Sequence, residues 1–172
     1  VFGRKPEQID IKELVNLAIS SNTYCSSIKF AFAPLTGING QKWDLCNGEF
    51  EVLINESIDN RCLIRFTIAK EISGIIMDSS ISNWQTTKPS ELLENISSIH
   101  MGQYSSQDSD IPTDLLLDEL AELGACELLL PVQYANFAKK KYHNEGSLAV
   151  AHYFKIPEKW VQRRFGIYNE LF

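Results

Sequence analysis

The chain has 172 residues, long enough for one sizeable core, so a single domain spanning 1–172 is the natural expectation. Its net charge of −6 excludes bulk attraction to nucleic acid or to anionic lipid. No apolar run approaches membrane-spanning length and no signal-peptide pattern precedes the core, so a soluble, cytoplasmic domain is expected.

Ile11, Leu14, Val15, Leu17 and Ala18 recur at helical spacing and predict a helix over 9–20 whose apolar side covers a sheet. Alternation through Ile28–Phe32 predicts a strand. Gly37–Gly40 and Asp44–Gly48 carry turn residues, with Trp43 and Leu45 between them. Phe50, Val52 and Ile54 have the period of two that marks a half-buried strand. Residues 1–62 therefore read as a helix on a small, mostly antiparallel sheet.

A central helix is predicted over 63–78, with Phe66, Ala69, Ile72, Ile75 and Ile76 facing the core. Residues 79–112 form a polar, serine-rich linker. Within it Pro89 opens a short helix towards Ile99, and 102–112 is expected to be a mobile loop. Thr113 is the expected N-cap of a second main helix reaching Leu130. Pro131 opens a further helix through Phe137 to Tyr142, so 113–172 is a C-terminal helical part. The fold class is α+β.

The segment Arg65–Asp78 carries the chemistry. Zinc peptidases need H-E-x-x-H on a helix: two imidazoles one turn apart hold the metal and the glutamate is the general base. Here the frame is K-E-x-x-G. Glu71 keeps the base position, but Lys70 and Gly74 stand where the ligands belong. An ammonium repels a dication, and glycine offers no donor.

The run R-F-T-I-A-K-E-I-S-G (65–74) resembles the R-F-T-L-A-H-E-L-G-H of the ImmA/IrrE family of bacterial metallopeptidase-like proteins. Val52-Leu53-Ile54-Asn55 is similar to the strand that precedes it there. Asp118-Glu119-Leu120-Ala121-Glu122 through Leu129-Leu130-Pro131 is similar to the family's second helix. Leu148-Ala149 through Phe154 and Ile156 is similar to the closing L-A-x-x-F-x-V-S block. The resemblance implies a zincin-like core and places Val52, Leu53, Ile54 and Asn55 along the edge of a peptide cleft. It puts the third metal ligand at Asp118, a carboxylate one carbon shorter than the family's. With both imidazoles gone, no metal and no cofactor are expected, and the pocket of Lys70, Gly74, Asp118 and Glu122 is a degenerate metal site. Lys70 is expected to pair with Asp118, or failing that with Glu122, one turn on.

Glu71 is then a vestigial general base or simply a helix glutamate. The implied function is a degenerate metallopeptidase-like domain that binds a protein or peptide partner, such as a repressor, in repressor control or stress response. Two alternatives stand beside it. One is a metallo-endopeptidase with a non-standard metal site. The other is a DNA-binding regulator using Leu148–Phe165, a helix-turn-helix-like stretch with Lys155, Arg163 and Arg164; the packing residues Trp160, Val161 and Phe165 weigh against it. Lys139–Lys141 reads as a solvated helix face. His100, His143 and His152 form no i, i+4 pair, and Cys25, Cys46, Cys62 and Cys126 form no C-x-x-C pair. The cysteines read as free thiols, with Cys126 in packing. The chain opens on Val1, and the resemblance implies that a helix-turn-helix repressor domain, which members of that family often carry, could precede it.

Overall fold

The computed structural model describes residues 10–21, 23–81 and 113–168. The short helix expected after Pro89, the loop over 102–112 and His100 lie outside them. The described residues form an α+β fold with six α-helices and a three-stranded sheet.

Helix α1 (Ile11–Ser21) starts on Asp10, whose carboxylate accepts from the Lys12 N–H at 3.2 Å. A short acceptor at this position satisfies a donor that the first turn leaves orphaned. Leu14 and Ala18 are its buried face. Strands β1 (Ser27–Ala33), β2 (Gly40–Asp44) and β3 (Glu49–Asn55) follow. Between β2 and β3 the chain reverses through Cys46 and Asn47 with φ of 70° and 57°. The Asp44 carboxylate supports this turn by accepting from the Cys46 N–H at 2.8 Å.

The sheet order is β1-β3-β2, with β1 parallel and β2 antiparallel to β3. Two expectations fail here. The sheet is mixed, not mostly antiparallel. Strand β3, expected along a cleft edge, is central: Val52 pairs with Phe30 on one side and Lys42 on the other, and Ile54 with Phe32 and Gly40. The reason lies in burial. Phe50, Val52 and Ile54 are buried, which suits a strand at the centre of the sheet. Short, polar β2 suits an edge far better.

Helix α2 (Arg61–Ile81) begins two residues before the expected start because Asn60 caps it. The Asn60 carboxamide oxygen accepts from the N–H groups of Cys62 at 2.9 Å and Leu63 at 3.2 Å. Phe66, Ala69, Ile72 and Ile75 are buried as the periodicity predicts, and Ile76 packs against them. Removing one such large side chain from water contributes about 1.5–3 kcal/mol.

Helix α3 (Thr113–Leu129) lies against α2, and Thr113 is its first residue rather than its cap. A single 3-10 turn (Val132–Tyr134) precedes α4 (Ala135–Glu145), and α5 (Ser147–Phe154) and α6 (Glu158–Tyr168) close the described chain. Lys155 ends α5 in the left-handed region at φ 53°, which turns the chain into α6.

The packing residues of the helix-turn-helix-like stretch do pack. Trp160, Val161 and Phe165 are buried, and Trp160 stacks on Phe66 with ring centres 4.6 Å apart and planes 9° apart. Its two arginines face α3. Arg163 binds Glu119 and, at 3.2 Å, Glu122; Arg164, itself buried, binds Glu127 at 2.8 Å. Among the described residues no helix is long and apolar enough to cross a membrane.

Candidate binding cleft

A cavity of about 600 Å³ opens where four elements converge. The loop and edge strand 37–42 form one wall. Leu63, Phe66, Thr67, Lys70 and Glu71 of α2 form the floor. Asp118 and Glu122 of α3, with Lys159 and Trp160 of α6, form the other wall.

The expected Lys70–Asp118 pair is present, with Nζ 2.5 Å from Oδ1. Lys70 is mostly covered (22% exposed) and Asp118 is half open (56%), so water screens one partner well. Glu122, the second choice, is held by Arg163 instead.

Gly74 shows what the sequence reading missed. A Cβ built on it would stand 2.9 Å from Lys42 Nζ and 3.4 Å from Lys42 Cε. The lysine stem of β2 therefore lies across the helix where a second imidazole would sit. Gly74 itself is not among the lining residues of the cavity. The absence of a side chain at 74 makes room for a cation from another element. The only signal in the sequence is a lysine in a five-residue run between two turns, which does not reveal its target.

Glu71 is near both lysines and accepts from the main-chain N–H of Lys42. Burial pushes its carboxyl above the ordinary range; Lys70 and Lys42 pull it down, and Asp118 pushes it up. Glu122 is also raised, first by burial, with Lys70 acting against it. Glu71 thus ties α2 to the edge strand. β2 and α2 are close here: a Cβ on Gly40 would fall 2.3 Å from Thr67 Cγ2.

The backbone of β2 has a defined polarity. Asn39 C=O accepts from the Asn55 N–H, and the Leu45 N–H donates to Glu49 C=O, each at 2.9 Å. Odd-numbered residues therefore bond β3, and Gly40, Lys42 and Asp44 turn their backbone groups the other way. The outer strand of the described sheet that borders the cavity is β2, and on that side its Lys42 N–H is taken by Glu71.

The residues assigned to a cleft-edge strand do different work. Val52 and Ile54 are in the core. Leu53 is half-buried on the opposite sheet face and is paired on both sides. Asn55 is buried and braces the cavity loop: its carboxamide donates to Leu35 O at 2.7 Å and Ile38 O at 2.8 Å, and accepts from the Ser57 N–H and Oγ.

The donor set does not fit a metal ion. Two ammonium groups occupy the ground that two ligands would need, and neither can coordinate. Among the described residues no group of three or more His, Cys, Asp or Glu is placed to hold a cation. His143 and His152 are exposed on α4 and α5 and do not line the cavity. All four cysteines are free; burial raises the thiol pKa of Cys126 to about 11, which suits a neutral packing group.

Neither a known family model nor a curated protein matches the chain.

Proposed function

We propose that this chain is a zincin-like domain of the ImmA/IrrE type whose metal position has become an ion-pair cluster. It serves as a non-catalytic regulatory module that holds an extended segment of a partner protein, such as a repressor, in the cleft beside β2. One observation carries this reading. At the K-E-x-x-G frame, Lys70 bridges to Asp118 while Lys42 fills the space over Gly74, beneath an open cavity bordered by a strand edge. A fixed pair of cations offers no activated water, so Glu71 has no proton to take in hydrolysis. Apart from the Lys42 N–H, which Glu71 takes, the outer edge of β2 offers main-chain hydrogen bonds to an extended peptide. The segment runs along β2, not β3. The DNA-binding alternative has less to work with, because Arg163 and Arg164 are committed to carboxylates on α3.

Incubation with zinc and a quenched fluorogenic peptide library tests the first half. No turnover is expected, and stoichiometric zinc with peptide cleavage would remove the proposal. A design tests the zincin register. Lys70→His, Gly74→His and Asp118→Glu together leave Lys42 in the ligand space, so zinc uptake is expected only when Lys42→Ala is added. A folded quadruple variant that takes up no zinc would mean that α2 and α3 are not in peptidase register.

A further inference from the structure

We infer that the segment held in the cleft carries an acidic side chain, and that Lys159 receives it. This rests on the cleft reading above and adds the chemistry of the partner. The cavity is lined by three lysines and three acids, Lys42, Lys70 and Lys159 against Glu71, Asp118 and Glu122. Each acid already has its counterpart. Asp118 is held by Lys70, and Glu122 by Arg163. Glu71 is held by the Lys42 N–H, with Lys70 and Lys42 close by.

Lys159 stands apart. Among the described residues it has no carboxylate within salt-bridge distance. Its ammonium lies 4.6 Å from the centre of the Trp160 ring. That contact holds the charge over the aromatic wall without neutralising it. The neighbouring Glu158 is turned elsewhere, accepting from Ser147 Oγ at 2.5 Å and Gln162 Nε2 at 3.3 Å. Arg163 also lies 5.3 Å from the Trp160 ring centre, but its charge is met by Glu119 and Glu122, which leaves Lys159 as the uncompensated cation. The first turn of α6, an 11-residue helix, is a further favourable surrounding for an anion. An aspartate or glutamate on a strand paired with β2 meets an uncompensated cation there. A lysine or arginine at the same place meets repulsion, so the site discriminates as well as attracts.

The test uses a displayed library of random 12-residue peptides selected against the folded full chain. Binders are mapped by amide hydrogen exchange, and affinities are measured by calorimetry at low and high salt. The expected result is protection of the β2 amides, one recurrent Asp or Glu among the binders, and a loss of about fivefold when that residue becomes Gln. Lys159→Met should remove the preference. Lys159→Glu should reverse it, so that the peptide with Lys at that position binds better. Both variants change an exposed side chain, and circular dichroism checks that they fold. Binders that protect β2 but show no acidic preference and ignore both variants would overturn this inference and leave the cleft reading standing. A library from which no binder protects β2 would overturn both.

Discussion

Helix α2 meets α3 on one side and β2 on the other, and each contact passes through a glycine, yet the two are unlike. On the α3 side, a Cβ on Gly124 would fall 1.9 Å from Ser73 Oγ and 3.1 Å from Ser73 Cβ, and Ser73 is buried. On the β2 side, a Cβ on Gly74 would meet only the far end of Lys42. The first glycine sets how closely two helices pack. The second makes room for a charge. One contact fixes the fold and the other furnishes the cleft, although both lie on consecutive residues of one helix, Ser73 and Gly74.

The largest expected effect comes from the α3 side. Gly124→Ala forces a methyl group into a buried side chain, and overpacking of this kind costs about 1–3 kcal/mol. Urea unfolding measures it. Ser73→Gly in the same chain should recover part of the loss, because it removes the colliding atoms. Full tolerance of Gly124→Ala would mean that the helices can part at no cost, and the contrast between the two sides would collapse.

How much of this was legible beforehand follows from range. The apolar stripe of α2 is a local pattern, and Phe66, Ala69, Ile72 and Ile75 are buried as read. The Lys70–Asp118 pair was expected from a resemblance, and the pair is present. The Asn60 cap was visible in principle, since a short polar residue stands before the helix, but the start was set by the apolar residues instead. Sheet order is a different matter. Whether β2 or β3 is the edge depends on pairings between residues far apart in the chain, and alternation in β3 is the same in either arrangement. The error over β2 hid Lys42, because its reach to Gly74 exists only in the observed register.

Next in size is the ion pair at the open end of the α2–α3 contact. Lys70→Met should destabilise by about 1 kcal/mol, since Asp118 is half exposed and screened. The same change at exposed Lys140 should stay within about 0.5 kcal/mol. A double-mutant cycle with Asp118→Asn isolates the pair. A coupling energy of zero would leave Lys70 without a structural role, and the α3 contact would then depend on Ser73 and Gly124 alone.

A smaller effect should appear in the pH dependence of stability. Burial raises the Glu71 pKa in the folded chain, so the native state holds that proton to higher pH than the unfolded state does. Between the ordinary carboxylate value and the raised one the native state binds more protons, and stability falls as pH rises through that window. Glu71→Gln keeps an acceptor for the Lys42 N–H and removes the titration. The decline should become shallower, with the remainder from Glu122, which is raised in the same sense. An unchanged slope would mean that Glu71 ionises as freely folded as unfolded.

The smallest change is expected at the other glycine. Gly74→Ala places a methyl group 2.9 Å from Lys42 Nζ, 3.4 Å from Cε and 3.5 Å from Cδ. All three atoms belong to the end of a flexible chain, which can withdraw by rotation at little cost. Against that stands the preference of a helix interior for alanine over glycine, up to about 1 kcal/mol. The two terms oppose each other, so the net change should lie near zero or be slightly stabilising. Truncating the lysine first, as Lys42→Ala, should expose the full helix gain of Gly74→Ala, because nothing is left to collide. A loss comparable to that of Gly124→Ala would show that the Lys42 stem is wedged rather than laid across the helix. The β2 contact would then be as rigid as the α3 contact, and zinc ligands could not be restored there without rebuilding the strand.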